Sequence, residues 1–508
     1  MTEDDSEPKS LERVPSGIPG LDVILRGGFF QGGVYMILGR PGAGKTILGN
    51  QICFSHVAAG GRALFVTLLT ESHARMIAHL HGMEFFRPEH VGTSLIYASG
   101  YEVLEKEKLK GLLGLLRRVV RDHQATLLVI DGIITAGAMA ESELEMKKFV
   151  LELQILVELV GCTTLLLTGA NQNDEDQYPQ RTMVDGLVRL DLEPAGMWTT
   201  RTIEVLKFRG AGVILGRHLF EITNAGITIH PRTEALLGSD SRRPGGKRAP
   251  LSFGIESLDG MLGGGLRSGS ITMVLGSPGS GKTLLGSRFL AVGARTKEPG
   301  LYFGFFETQE QLVRNAAATG TDLSRPLESG LLEIMWQPPL ELIADALAEK
   351  LLAAVRARRV RRLFIDGIGG FRDSIVYPER TGRFFTALAN ELRTQGVATI
   401  LSEETRDLFA AKIEVPVSGL PAMLDNILFL RHVELRAQLH RIISVMKMRE
   451  GQSDSTLREF SIGKEGIDVS ANLESAEAIL TGIARASPAP PTASPPPRAR
   501  ARGKRRRS

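Results

Sequence analysis

Cysteine is nearly absent from this chain: two residues in 508, Cys53 and Cys162, both set in apolar runs. That excludes a disulfide scaffold, and thiols so placed are ordinarily small core fillers in a protein kept reduced. Aromatic residues make up only 6%, too few and too scattered for a platform on which nucleic-acid bases could stack. No apolar run reaches the roughly 18 to 20 residues of a membrane helix, and the acidic start, Glu3, Asp4, Asp5 and Glu7, lacks the basic-then-apolar layout of a secretory leader. A cytoplasmic protein without a membrane segment is the expectation. A strong charge of one sign is missing too. The net charge is +4, but Arg498, Arg500, Arg502, Lys504, Arg505, Arg506 and Arg507 leave −3 for everything before them. A smaller basic knot, Arg242, Arg243, Lys247 and Arg248, lies in a Pro/Gly-rich stretch. Nucleic acid is therefore an expected partner only through the basic tail.

What the chain does have is length and repetition. Its 508 residues, 43% hydrophobic and 23% charged, are enough for two or three globular domains. Ser16 to Thr46 (SGIPGLDVILRGGFFQGGVYMILGRPGAGKT) aligns without gaps on Phe253 to Thr283 (FGIESLDGMLGGGLRSGSITMVLGSPGSGKT), about half the positions being identical. Self-similarity over so long a period marks one structural unit used twice. LLVID ending at Asp131 is matched by LFID ending at Asp366, and Lys207-Phe-Arg209 by Lys447-Met-Arg449, in the same order.

Between these landmarks, helical patterns such as Glu102 to His123 and Glu341 to Arg359 alternate with short apolar runs. Strand expectations include Ala63 to Leu68, Thr163 to Thr168 and Leu301 to Phe305. Arg201 to Phe208 and Arg441 to Met448 alternate in the manner of antiparallel strands added at a sheet edge. The expected fold class is α/β: two tandem P-loop domains, each a mainly parallel sheet with flanking helices and antiparallel edge strands. The expected boundaries are an acidic disordered start (1–13), a first domain (14–237), a linker (238–250), a second domain (251–485) and a disordered Pro/Arg-rich tail (486–508).

Two segments fit G-x-x-x-x-G-K-[ST], each between an apolar strand and a helical pattern: Gly39 to Thr46 and Gly276 to Thr283. Gly39, Gly42, Gly44, Gly276, Gly279 and Gly281 would let backbone N–H groups wrap a phosphate. Lys45 and Lys282 would reach the β/γ oxygens of a nucleotide, and the Thr46 and Thr283 hydroxyls would ligate magnesium. Asp131 and Asp366, closing buried-type strands, suit the magnesium contact made through water; a lone aspartate there could equally cap a turn. Glu71 and Glu307, after the second strand, are candidates to orient an attacking water, or simply acids that favour a helix N-terminus. ATP and Mg2+ are the expected ligands.

The repeated G-I-x-x-L-D opening, the two P-loops, the strands ending in Asp and the two K-x-R motifs resemble the KaiC family, tandem RecA-like ATPases and autokinases of the cyanobacterial circadian clock. The likeness spans about Val14 to Val469. It implies a homohexamer of two stacked rings, with ATP between neighbouring subunits and regulatory protein partners. Lys207, Arg209, Lys447 and Arg449 would then reach the neighbour's γ-phosphate, whereas the residues alone also allow a solvated strand face.

Two departures from that pattern stand out. Where the family has adjacent glutamates after the second strand, this chain has one acid per half, Glu71 and Glu307, at unequal distances from their P-loop lysines. Counting back from Asp425, the family's Ser-Thr phosphate acceptors become Pro421 and Ala422, which have no hydroxyl; Ser418 is the nearest substitute. Serine/threonine autokinase activity thus lacks its usual acceptors. A RecA-type DNA-dependent ATPase and an ATP-gated scaffold without turnover stay open at this level.

Overall fold

The computed structural model describes residues 12–69, 73–169, 182–237, 249–338, 340, 343–405, 420–435, 438–449, 454, 456–470, 476–478 and 484–486. Glu71, Ser418, most of the expected linker and the tail after residue 486 lie outside them. Contacts divide the chain into two compact units, Met1–Gly238 and Ser239–Ser508.

The first unit is built on one nine-stranded sheet. Its strands are β1 (Val34–Gly39), β2 (Ala63–Thr67), β3 (Leu95–Ser99), β4 (Leu127–Asp131), β5 (Thr163–Gly169), β6 (Gly186–Ala195), β7 (Trp198–Phe208), β8 (Arg217–Thr223) and β9 (Gly226–His230). The spatial order is β9-β8-β7-β6-β1-β5-β4-β2-β3. Pairings from β6 through β1 to β3 are parallel, and β6 to β9 are joined antiparallel. Strand β1 is buried at every position, as a central strand with both faces covered must be. Tyr35 and Ile37 enter one core with Ile52 and Cys53 of helix α1 (Lys45–Ala58). Val34, Met36 and Leu38 enter the other, with Leu112 and Leu116 of α2 (Tyr101–His123) and Phe149 and Leu153 of α3 (Glu143–Val160). Both cysteines are buried and free, their thiols pushed upward by burial, so they act as core fillers.

The second unit repeats this plan strand for strand. Its nine strands are β10 (Ile271–Gly276), β11 (Gly300–Gly304), β12 (Leu332–Trp336), β13 (Arg362–Asp366), β14 (Ala398–Glu404), β15 (Asn426–Leu435), β16 (Gln438–Met448), β17 (Arg458–Gly463) and β18 (Gly466–Val469). Their order, β18-β17-β16-β15-β10-β14-β13-β11-β12, is that of the first sheet. Helices α4 (Lys282–Arg295), α5 (Ala344–Arg358) and α6 (Thr381–Thr394) follow β10, β12 and β13. One face packs through Leu285 and Phe289 of α4 onto Tyr302 and Phe364. The other holds a phenylalanine cluster, Phe303, Phe305, Phe371, Phe384 and Phe385.

The expected tandem, mainly parallel α/β fold is what forms, with antiparallel strands where Arg201 to Phe208 and Arg441 to Met448 were read. The expected helices appear as Tyr101–His123 and Ala344–Arg358. Among the described residues no helix is long and apolar enough to cross a membrane.

Candidate nucleotide sites

Each P-loop leaves the C-terminal end of a central strand and turns directly into a helix. Gly44 and Gly281, in left-handed conformations with φ of 100° and 102°, are the residues before α1 and α4. A side chain at Gly276 would come 2.6 Å from the Leu430 carbonyl oxygen of the adjacent strand, so only glycine fits. The helix N-termini, uncapped by any side chain, leave their N–H groups directed at the loop.

The same side-chain contacts form twice. Lys45 Nζ donates to the carbonyls of Gly39 at 2.7 Å and Arg40 at 3.0 Å. Lys282 Nζ donates to those of Gly276 and Ser277, both at 2.9 Å. Burial lowers the pKa of both lysines, a cost that nearby carboxylates partly offset: Asp131 for Lys45, Glu404 first for Lys282. Thr46 Oγ1 donates to Asp131 Oδ2 at 2.8 Å, and Thr283 Oγ1 to Asp366 Oδ2 at 2.8 Å. Hydroxyl and carboxylate oxygens converging from the helix start and the strand end are the donor set a hard divalent cation takes, so these pairs fit Mg2+.

In the second unit these groups line a cavity of about 730 Å3. Glu307 stands on its wall, immediately before Thr308, whose side chain and that of Gln311 form a capping box at the start of the helix Gln309–Ala318. Asn315 of that helix donates to Glu307 Oε2 at 3.1 Å. Burial raises the Glu307 pKa, the Asn315 bond lowers it and Asp366 raises it.

The cavity also contains residues that sequence reading missed. Glu403 and Glu404 end β14; in register on the first sheet stand Thr168 and Gly169. Glu403 pairs with Arg372 at 2.7 Å, and Glu404 lies 3.5 Å from Lys282 Nζ. Arg441 Nε donates to the Gly279 carbonyl at 3.2 Å. Aligning SEE on LTG at the strand ends was the available signal for the glutamates.

The K-x-R pairs stand at the other end of each sheet. Arg209 donates its backbone N–H to Asp185 O, and Asp185 to Val34 O, level with the beginning of β1. Arg449 does the same through Asp425 and Ile271 at the beginning of β10. From there to the P-loop is about 13 to 16 Å, four or five strand residues at roughly 3.3 Å each. The side chains turn farther away: Lys207 Nζ onto the carbonyls of Thr182 and Val184, both at 2.7 Å, and Lys447 Nζ onto that of Leu424 at 2.8 Å. Arg209 donates to Thr182 O at 3.1 Å and Arg449 to Ala422 O at 2.8 Å. The structure thus joins P-loop, threonine and aspartate in each unit, with Glu307 beside the second set, and holds the K-x-R pairs apart from them.

Residues 14–234 and 251–474 both match the family model described as "ATPase: KaiC". The circadian clock oscillator protein KaiC of Picosynechococcus sp. is 28% identical over 491 residues, covering 93% of this chain and 92% of that protein. KaiC 1 of Synechocystis sp. is 26% identical over 490 residues, with the same coverage of 93% and 92%. KaiC of Nostoc sp. is 28% identical over 486 residues, again covering 93% and 92%. With a twice-repeated sheet and a twice-repeated threonine–aspartate pair, the chain belongs to the KaiC family of ATPases.

Proposed function

We propose that this protein binds and hydrolyses ATP as a homohexamer of two stacked rings, each nucleotide lying between one subunit's P-loop and the next subunit's K-x-R pair. The supporting observation is the separation within each sheet. Lys207, Arg209, Lys447 and Arg449 lie too far from the P-loop of their own domain to touch its phosphates, so cations acting on those phosphates would come from a neighbour.

In this reading domains 14–237 and 251–485 each hold a triphosphate by the glycine loop, the helix N-terminus and Lys45 or Lys282. Thr46 with Asp131, and Thr283 with Asp366, would hold Mg2+, which would supply positive charge against that of the triphosphate. Glu307 orients the attacking water in the second domain, and Glu71 is assigned the same role in the first. The K-x-R cations stabilise charge that develops on the transferring phosphoryl group. Pro421 and Ala422 cannot accept phosphate, so turnover ends in free phosphate rather than at those positions. The protein partners that read the ring's nucleotide state belong to signalling or regulation.

Incubation with γ-labelled ATP and Mg2+ tests this, with Lys45→Ala and Lys282→Ala alongside. Released phosphate, reduced by each substitution and without label on the protein, is expected. Stable label on the protein would show an autokinase using other acceptors. No release from the parent protein would leave an ATP-gated scaffold.

A further inference from the structure

We propose that Tyr302 and Ser402 are positioning residues that pin the Asp366 carboxylate as the magnesium acceptor of the second site. The proposal rests on the reading of Thr283 and Asp366 as a magnesium pair.

Asp366 ends β13, and hydroxyls converge on it from three separate elements. Thr283 on α4 donates to Oδ2 at 2.8 Å, Tyr302 on β11 to Oδ2 at 2.9 Å, and Ser402 on β14 to Oδ1 at 2.6 Å. Ser402 Oγ accepts the Gly367 N–H at 2.8 Å, which aims its own proton at the carboxylate. Tyr302 and Ser402 are each 1% exposed, so neither is exchanging its partner for water. Burial and the adjacent Asp366 push the Tyr302 phenol well up, keeping it a donor throughout the neutral range.

Strand register identifies the corresponding positions in the first unit. Asp131 stands opposite Thr67 of β2 as Asp366 stands opposite Gly304 of β11, making Phe65 the counterpart of Tyr302. Asp131 stands opposite Leu167 of β5, and Ile365 opposite Leu401, making Leu167 the counterpart of Ser402. Neither counterpart has a hydroxyl; both are core residues. A carboxylate locked by donors on both oxygens has little freedom left to lose when a cation arrives, and partners of this kind typically change metal affinity by 10- to 100-fold.

The test uses full-length protein carrying Lys45→Ala, so that phosphate release reports the second site, with Mg2+ titrated at fixed ATP. Tyr302→Phe is expected to raise the half-saturating Mg2+ by roughly tenfold while leaving turnover at saturating Mg2+ nearly unchanged. Ser402→Ala should act likewise, and Ser402→Thr, which keeps the hydroxyl, should restore the parent curve. Superimposable titrations for Tyr302→Phe and parent would overturn the proposal. So would a loss of turnover that excess Mg2+ does not restore, which would show a merely structural role. A parent without turnover would defeat the hydrolysis reading alone. Mg2+-dependent binding of a fluorescent ATP analogue to the same variants then decides the positioning role by the same tenfold criterion.

Discussion

Glu307 illustrates how much a single side chain takes from its surroundings. Burial raises its pKa, and the Asn315 amide, bonded to the ionised form, opposes that rise. A group that orients water must be ionised, so turnover at the second site should fall on acidification, with a midpoint above the ordinary glutamate value of about 4.3. Asn315→Ala removes a bond that favours the ionised form and should move that acid limb to still higher pH. Glu307→Gln should give low turnover without the limb; a Gln variant retaining it would clear Glu307 of the role. Gly281 allows a second residue-scale prediction. A methyl there would meet Ile462 and Phe460 carbons at 2.8 Å on a backbone with φ of 102°. Gly281→Ala should abolish analogue binding at the second site and leave binding at the first. Glu307 and Gly281 were both legible in the sequence. The acid limb was not, because desolvation and Asn315 exist only once the helix Gln309–Ala318 packs beside the strand end.

Among the elements, the long β6–β7 and β15–β16 ribbons are the most instructive. Each carries a register shift at the same point, between Leu187 and Val188 and between Ile427 and Leu428, one pairing step from Lys207 and Lys447. An extra residue there, Leu206 or Met446, re-aims the rest of the strand, and so sets the direction in which the K-x-R side chains leave it. Alternation along the sequence indicated strands, but the extra residue is visible only in the pairing. Near the same end of the second sheet, Asp425 accepts the Ile271 N–H at 2.9 Å and an Arg393 hydrogen bond at 3.1 Å, tying α6 to the central strand. Both side chains are largely buried, 10% and 11% exposed. Arg393→Ala removes one of the two arginines paired with that carboxylate, Arg449 remaining at 3.4 Å, and should cost about 1.5 to 3 kcal/mol. Thermal unfolding should show the second domain melting earlier and the first unchanged.

At the scale of the whole molecule, the proposed activity assigns the two halves of one phosphate site to the two ends of each sheet. A single copy cannot bring them together within a domain, so the proposed activity depends on assembly. Sizing chromatography should show a hexamer in ATP and Mg2+; a strict monomer under turnover conditions would remove the trans role of Lys207, Arg209, Lys447 and Arg449. Complementation is sharper. Lys282→Ala and the double variant Lys447→Ala/Arg449→Ala should each lose second-site turnover alone. Mixed and reassembled, some interfaces would join an intact P-loop to an intact K-x-R pair, and part of the activity should return. No recovery in verified mixed oligomers would place the cations outside the reaction.

The order of the amino acids was enough to specify the fold of each half, the duplication and the phosphate loop, because these depend on local rules. Continuous apolar runs bury both faces of the central strands, glycine permits left-handed turns, and G-x-x-x-x-G-K-[ST] needs only its neighbours in the chain. Family membership came from the same residues. The surroundings of the loop were settled by packing alone. Tyr302, Ser402 and Asp366 are separated by 36 to 100 residues along the chain and meet only because β11 and β14 flank β13. Phe65 and Leu167 occupy the same places in the first unit. Two sequences that share a motif thus build sites with different carboxylate supports, since hydrogen bonds across a sheet depend on strand order and register rather than on distance along the chain.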